Sequence, residues 1–191
     1  MKSAVSATGV LTATVIALSA GANILPAYCA GPNPNLAKLN NEAMNAMKKG
    51  QDTVAIEKLL KAMIIDPTYE NGRINLAIAL KQRALIKSAK PLPAGRDVLV
   101  ALLIDPNNDT LKRILECKVK ALGKDPAVEA SFLDLGAELE KKSDRLGAYA
   151  AYKQALRIKY EETTENKTFK LREAMAAAGE PSIDLSVECP D

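Results

Sequence analysis

The sequence predicts an all-α fold in which helix hairpins stack as repeats. Three observations carry this. Ala55–Pro67 reads AIEKLLKAMIIDP and Ala94–Pro106 reads AGRDVLVALLIDP, so one phrase is written twice, 39 residues apart. The copies share the Ala at 55 and 94, Leu at 60 and 99, Ala at 62 and 101, Ile at 65 and 104, and then Asp-Pro. From Leu36 onward no stretch sustains the period-two alternation of a half-buried strand; apolar residues recur at spacings of three and four instead. The chain is 48% hydrophobic but only 4% aromatic, with no Trp. A core of Ala, Leu, Ile and Val suits closely packed helices better than a sheet, which favours β-branched and aromatic residues.

The N-terminus, residues 1–30, is of another kind. Met1-Lys2 gives a minimal positive end, and Val10–Leu25 is apolar with small residues. Ala20-Gly21-Ala22 fits a small-x-small cleavage pattern, and the end at Ala30 fits it less well, as in a secretory signal peptide. An uncleaved membrane anchor is the alternative, but the apolar run is short for a span of about 20 residues, and Gly21 and Asn23 interrupt it. Lipidation at Cys29 is a third reading, with bulky Tyr28 where bacterial lipoproteins carry a small residue. The expected location is therefore exported, periplasmic or extracellular, or held at a membrane by this segment. Removing residues 1–30 deletes Lys2 and no acid, so the net charge falls from +3 to +2. Cys117 and Cys189 then remain, and an oxidising compartment allows them to pair and staple the tail to the body. Two free thiols are the alternative.

GPNPN, residues 31–35, reads as a turn or linker. The first helix follows from about Leu36 to Lys49 and stops at Gly50, a natural C-terminal residue. Gln51-Asp52-Thr53 opens the second, which ends before Asp66-Pro67, because Pro lacks the N–H and clashes with the preceding turn. The third runs from about Tyr69 to Ser88. Lys90–Gly95, KPLPAG, breaks the chain, and the fourth covers about Ala94 to Ile104. The fifth spans about Asp109 to Leu122, closed by Gly123 and Asp125-Pro126. The sixth is Ala127–Lys142, the seventh Arg145–Glu161 and the eighth about Asn166 to Ala178. Residues 179–191 read as an irregular tail.

Ala55, Leu59, Ala62 and Pro67 are spaced 4, 3 and 5. Ala94, Val98, Ala101 and Pro106 repeat that spacing, as do Ala148, Tyr152, Ala155 and Tyr160. In the preceding helices Leu39, Ala43 and Ala46 answer to Arg73, Ala77 and Leu80, and to Phe132, Gly136 and Leu139. Spacings of three and four share one helical face. Small residues there let a neighbouring helix approach, and a large one fills the adjoining hole. A helix hairpin of this kind cannot bury its own apolar face and stacks on its neighbour.

At these residues the chain resembles the tetratricopeptide repeat family. Phe132–Tyr160 carries Phe132, Leu135, Gly136, Leu139, Ala148, Tyr152 and Ala155 at the family's spacing. Leu39–Pro67 is similar, although Glu42 stands where the family prefers Leu. The copy from Arg73 to Pro106 is about five residues too long, which implies an enlarged loop at KSAKPLPAG. Between Pro106 and Pro126 there is room for one helix only. The resemblance covers residues 36–178 and implies a right-handed α-solenoid of about three hairpins, one extra helix and a C-terminal capping helix around Phe169, Leu171 and Met175.

The residues also narrow the chemistry. There is no His, which removes the commonest general base, the Ser-His and Cys-His arrangements and most zinc sites. No Gly-rich phosphate loop or CxxC pair is present. Asp134, Glu138 and Glu140 lie near one another, but a charged solvent face with Lys141 and Lys142 as partners explains them better than acid–base work. Acids and bases are interspersed without a basic stripe or stacking aromatics, which argues against nucleic acid. No cofactor and no small-molecule substrate is expected.

The resemblance implies a non-catalytic scaffold that binds a protein or peptide in the groove formed by the first helix of each pair. Transferred onto this chain, that groove presents Asn40, Met44, Met47 and Lys48, then Asn71, Ile74, Asn75, Ile78 and Lys81, then Ala130, Asp134, Ala137 and Lys141. Asn side chains offer bidentate bonding to a peptide backbone, and Met and Ile form adaptable apolar pockets. Packing of Met44, Met47, Ile74 and Ile78 against a neighbouring helix is the alternative. Some family members clamp a carboxylate with Lys, Asn and Arg; Asn75 matches one such place, but Asn40 and Met44 replace the expected Lys and Asn, so no clamp is expected. The alternative function is an architectural, self-associating role in a cell-envelope assembly.

Overall fold

The computed structural model describes residues 33–86, 89–181 and 183. Among them are eight α-helices and no strand: α1 (Pro34–Lys48), α2 (Asp52–Ile65), α3 (Glu70–Leu85), α4 (Pro91–Ile104), α5 (Asp109–Ala121), α6 (Glu129–Lys141), α7 (Arg145–Ile158) and α8 (Glu162–Ala177). Residues 1–30, on which the expected export segment and its cleavage sites fall, lie outside the described residues, as do Cys29 and Cys189.

Helices adjacent in sequence pack together from α1 through α5 and from α6 through α8. The result is a solenoid-like succession of helices packed in chain order. α1 also reaches α3, and α7 reaches back to α4. The α4 helix therefore meets α3, α5 and α7, and every residue from Asp97 to Leu103 is buried. A helix that is apolar all round belongs inside, and VLVALLI supplies no polar face.

The repeated spacing is the core. Ala55, Leu59, Ala62, Val98, Ala101, Ala148, Tyr152 and Ala155 have no exposed surface, and Ala94 shows 1%. Small and large residues meet as the spacing requires. A Cβ built on Gly136 of α6 would stand 2.4 Å from Tyr152 Cε1 of α7, so the Tyr152 ring occupies the space that a larger residue at 136 would fill.

Seven of the eight helix ends fall into two kinds, and α3 ends in a third way on Ile86, whose N–H bonds Arg83 O. α1, α5, α6 and α8 end with a left-handed residue: Gly50 (φ 69°), Gly123 (φ 72°), Ser143 (φ 59°) and Gly179 (φ 65°). The next N–H then returns to the last turn, as Gln51 N to Ala46 O (2.9 Å) and Asp144 N to Leu139 O (3.0 Å). This closes orphan carbonyls at the helix end. α2, α4 and α7 end instead on Asp66, Asp105 and Lys159, whose N–H groups bond Ala62, Ala101 and Ala155. Asp66-Pro67 and Asp125-Pro126 make side-chain turns, with Asp66 Oδ1 accepting from Thr68 N (2.8 Å) and Asp125 Oδ1 from Ala127 N (2.9 Å).

Several boundaries and one face differ from the sequence reading; α6 starts at Glu129 and not Ala127, and α7 ends at Ile158 and not Glu161. Pro34 and Asn35 belong to α1 and not to a linker, because Pro is tolerated in the first helical turn and Asn33 Oδ1 caps the end. For the same reason Pro91–Gly95 is the start of α4, so the connection from α3 is residues 86–90 and no loop is enlarged by KPLPAG. α8 begins at Glu162 and not near Asn166. On α3 the buried face is Gly72, Leu76, Ala79, Leu80 and Ala84; Ala77 and Arg73 are only partly covered. Arg73 is drawn off the apolar face by backbone carbonyls, donating to Ile183 O (2.6 Å) and Pro67 O (3.4 Å).

Candidate functional site

Asn40 on α1 and Asn75 on α3 meet where these two helices pack. Asn75 Nδ2 donates to Asn40 Oδ1 at 2.8 Å. Two of the expected groove residues are thus joined, 35 positions apart in sequence. Met44 and Met47 are half-buried on the same helix as Asn40, and Met47 packs against the core. Asn71 is exposed one turn before Asn75.

Ile74, Ile78 and Lys81 are spaced 4 and 3, which places them on one face of α3. They line a cleft of about 280 Å³ whose other wall is Ile104, Asp105, Asn108 and Leu111. Ile74 is 48% exposed. The polar groups opposite are largely committed. Asn108 Nδ2 donates to Asp105 Oδ2 (2.9 Å), and Asn108 Oδ1 caps α5 by accepting from Leu111 N (3.1 Å). The cleft has apolar walls of Ile74, Ile78, Ile104 and Leu111, with the Lys81 ammonium on one side and the Asp105 carboxylate and Asn108 amide on the other.

Asp134 stands elsewhere. It is exposed on α6 and ion-paired to Lys124 at 2.8 Å. α5, not α6, forms the far wall of the cleft, because α5 packs directly on α4. Sequence reasoning carried the groove from α3 to α6 and so missed Asp105, Asn108 and Leu111; the available signal was that Asp105-Pro106 returns the chain to a capped helix at Asn108.

Glu138 and Glu140 of α6 each have a partner of their own. Glu138 pairs with Lys142 at 2.8 Å. Glu140 accepts from the Tyr152 hydroxyl at 2.8 Å; burial and this bond raise the Tyr152 pKa. Glu42 pairs with Lys58 of α2 at 2.6 Å, which lowers its pKa. Cys117 is a free thiol on the exposed face of α5, while its expected partner lies outside the described residues. Among the described residues no cluster of three metal-ligating side chains occurs.

The strongest electrostatic feature was not anticipated. Arg83 grips Asp97 with two bonds of 2.7 Å, Arg96 reaches Asp97 at 3.4 Å, and Arg96 grips Asp144 at 2.8 and 3.1 Å. This chain of four charges ties α3, α4 and the start of α7. No known protein-family model, curated protein or solved structure matches the chain.

Proposed function

We propose that the protein is an exported, non-catalytic scaffold of the tetratricopeptide-like, right-handed solenoid kind that holds an extended peptide or a partner's helix along the α1–α3 face. The observation that carries this reading is the trough of Ile74, Ile78 and Lys81 on α3 against Ile104 and Leu111, with the Asn40–Asn75 pair joining α1 to that same α3 helix. An apolar trough with a few convergent polar groups is the usual form of a binding site. The end of α5 matches those of α1 and α6, as a first helix that has lost its second would, while α3 ends differently on Ile86.

The test is capture from cell envelopes with the full chain and with an Asn75→Ala/Ile78→Asp variant. A specific partner retained by the native chain drops at least tenfold with the variant. If every captured protein stays bound to the variant, the α1–α3 face is not the binding surface. A second reading, self-association through the outer face, rests on Leu85 and Ile86, which are 55% and 46% exposed at the end of α3. Light scattering across a concentration series decides it, since a constant monomer mass excludes it.

A further inference from the structure

One edge of the helix stack gathers lysines. Arg83 at the end of α3 reaches Thr53 at the start of α2 (3.4 Å) and Asp97 in α4 (2.7 Å), and Arg96 reaches Asp144 at the start of α7 (2.8 Å). A Cβ built on Gly95 would stand 3.7 Å from Lys118 Cβ near the end of α5. The ends of α1, α3, α5 and α6 and the starts of α2, α4 and α7 therefore share this edge. It carries Lys48 and Lys49 from α1, Lys90 before α4, Lys120 from α5 and Lys141 from α6, all exposed. None of the five has an ion pair among the described residues.

The acids of the same edge are committed. Asp97 and Asp144 are held by arginines, Glu138 by Lys142, Glu140 by Tyr152 and Glu180 by Arg145, while Asp52 is buried. Glu57 and Glu116 are exposed about one turn inward and leave the excess of positive charge at the edge. Aliphatic side chains stand among the lysines: Val54 is 42%, Leu85 55% and Ile86 46% exposed. Apolar side chains among free ammoniums suit the surface of an anionic bilayer, where binding grows with buried apolar area and with attraction to acidic headgroups. A second copy of the chain fits less well. On the opposite edge Asp66, Asp105, Asp109 and Glu165 are bonded to Thr68, Asn108, Lys112 and Tyr160, which leaves chiefly Glu70 and Glu162 to meet five lysines.

We infer that this edge rests on an anionic lipid surface, with the lysines on the headgroups and Val54, Leu85 and Ile86 at the headgroup boundary. The inference uses none of the trough residues Ile74, Ile78 and Lys81, so it stands or falls apart from the proposed peptide binding.

The experiment uses the full chain with a photoreactive benzophenone side chain in place of Ile86. It is mixed with vesicles of phosphatidylcholine alone, or of phosphatidylcholine and phosphatidylglycerol in equal parts. Irradiation and mass spectrometry are expected to give lipid adducts at position 86 on the anionic vesicles and at least fivefold fewer on the neutral ones. Few are expected when the same side chain replaces Tyr160 of the opposite edge. Salt at about 1 M, which cuts the screening length to about 3 Å, removes most of the adducts. The Lys49→Glu/Lys90→Glu/Lys120→Glu/Lys141→Glu variant, altered only at exposed positions, is expected to lose at least fivefold. Equal labelling of both vesicles, or no loss with the lysine variant, overturns the inference; residues 1–30 would give that result if they alone carried the chain to lipid. Equal adducts at 86 and 160, a crosslink to a second chain in place of lipid, or no adduct at all also overturn it.

Discussion

Gly136 and Tyr152 show how much one residue's size decides. Tyr152 is a large side chain with no exposed surface, and it fits because position 136 has no Cβ. The Gly136→Ala variant forces the ring to move from a fully packed site, and overpacking of this kind costs about 1–3 kcal/mol. Tyr152→Phe keeps the ring and loses only the 2.8 Å bond to Glu140, a loss of about 1 kcal/mol. Urea denaturation of the two variants is expected to rank Gly136→Ala as the more damaging. The reverse order makes the hydroxyl, not the close approach, the important contact. This pair was legible in sequence because small and large residues at matching places in neighbouring helices are a local pattern. The buried Asp97 was not, since its partners, Arg83 and Arg96, are of the same residue types that cover any solvated surface.

At the level of the element, the buried faces of α2, α4 and α7 were readable and that of α3 less so. Ala55, Leu59 and Ala62 sit on a narrow stripe, so their spacing admits one facing. α3 buries both Ala79 and Leu80, so a reading one residue out of phase fits its sequence almost as well. Helix starts at Pro34 and Pro91 were misplaced because a proline signals both a break and a first turn. The helix ends make a matched prediction. Ser143 holds the left-handed conformation that Gly holds at positions 50, 123 and 179. That conformation costs an L-residue about 1–2 kcal/mol. Ser143→Gly is therefore expected to stabilise the protein by about 0.5–1 kcal/mol, after the greater freedom that glycine gives the unfolded chain. Gly123→Ala, where nothing stands within 4 Å of a new Cβ, is expected to destabilise it by about 1 kcal/mol. Thermal unfolding shows opposite shifts if the backbone conformation is the cause. Shifts of the same sign contradict this.

For the whole molecule the decisive contacts join parts far apart in sequence. α4 touches three helices, and its only charged residues, Arg96 and Asp97, carry the chain of ion pairs from α3 to α7. Arg96 is 48 residues from Asp144, a distance at which no sequence period speaks. Burial opposes ionisation of Asp144, but the Arg96 guanidinium and the Gly147 N–H outweigh it, and the Asp144 pKa is lowered. A lowered carboxylate contributes stability that is complete above its unfolded pKa of about 3.9 and is lost as pH falls through the folded value. Asp144→Asn removes the charge while keeping a residue that caps α7 equally well. The stability difference between native and variant chains is expected to hold steady above pH 6 and to shrink as pH falls toward 3. A difference that does not change with pH assigns the effect to packing alone. Arg96→Ala strands Asp144 half-buried and leaves Asp97 with Arg83 only. Removing one partner of a buried ion pair costs about 3–5 kcal/mol, a large share of the 5–15 kcal/mol that holds an ordinary domain together. Arg96→Lys does not restore it, because an ammonium cannot make the paired bonds of a guanidinium with one carboxylate while reaching a second. Denaturant unfolding of both variants tests this. If Arg96→Lys is as stable as the native chain, point charge is sufficient, and the two-pronged geometry that locks the α6–α7 hairpin onto α4 is not what holds it there.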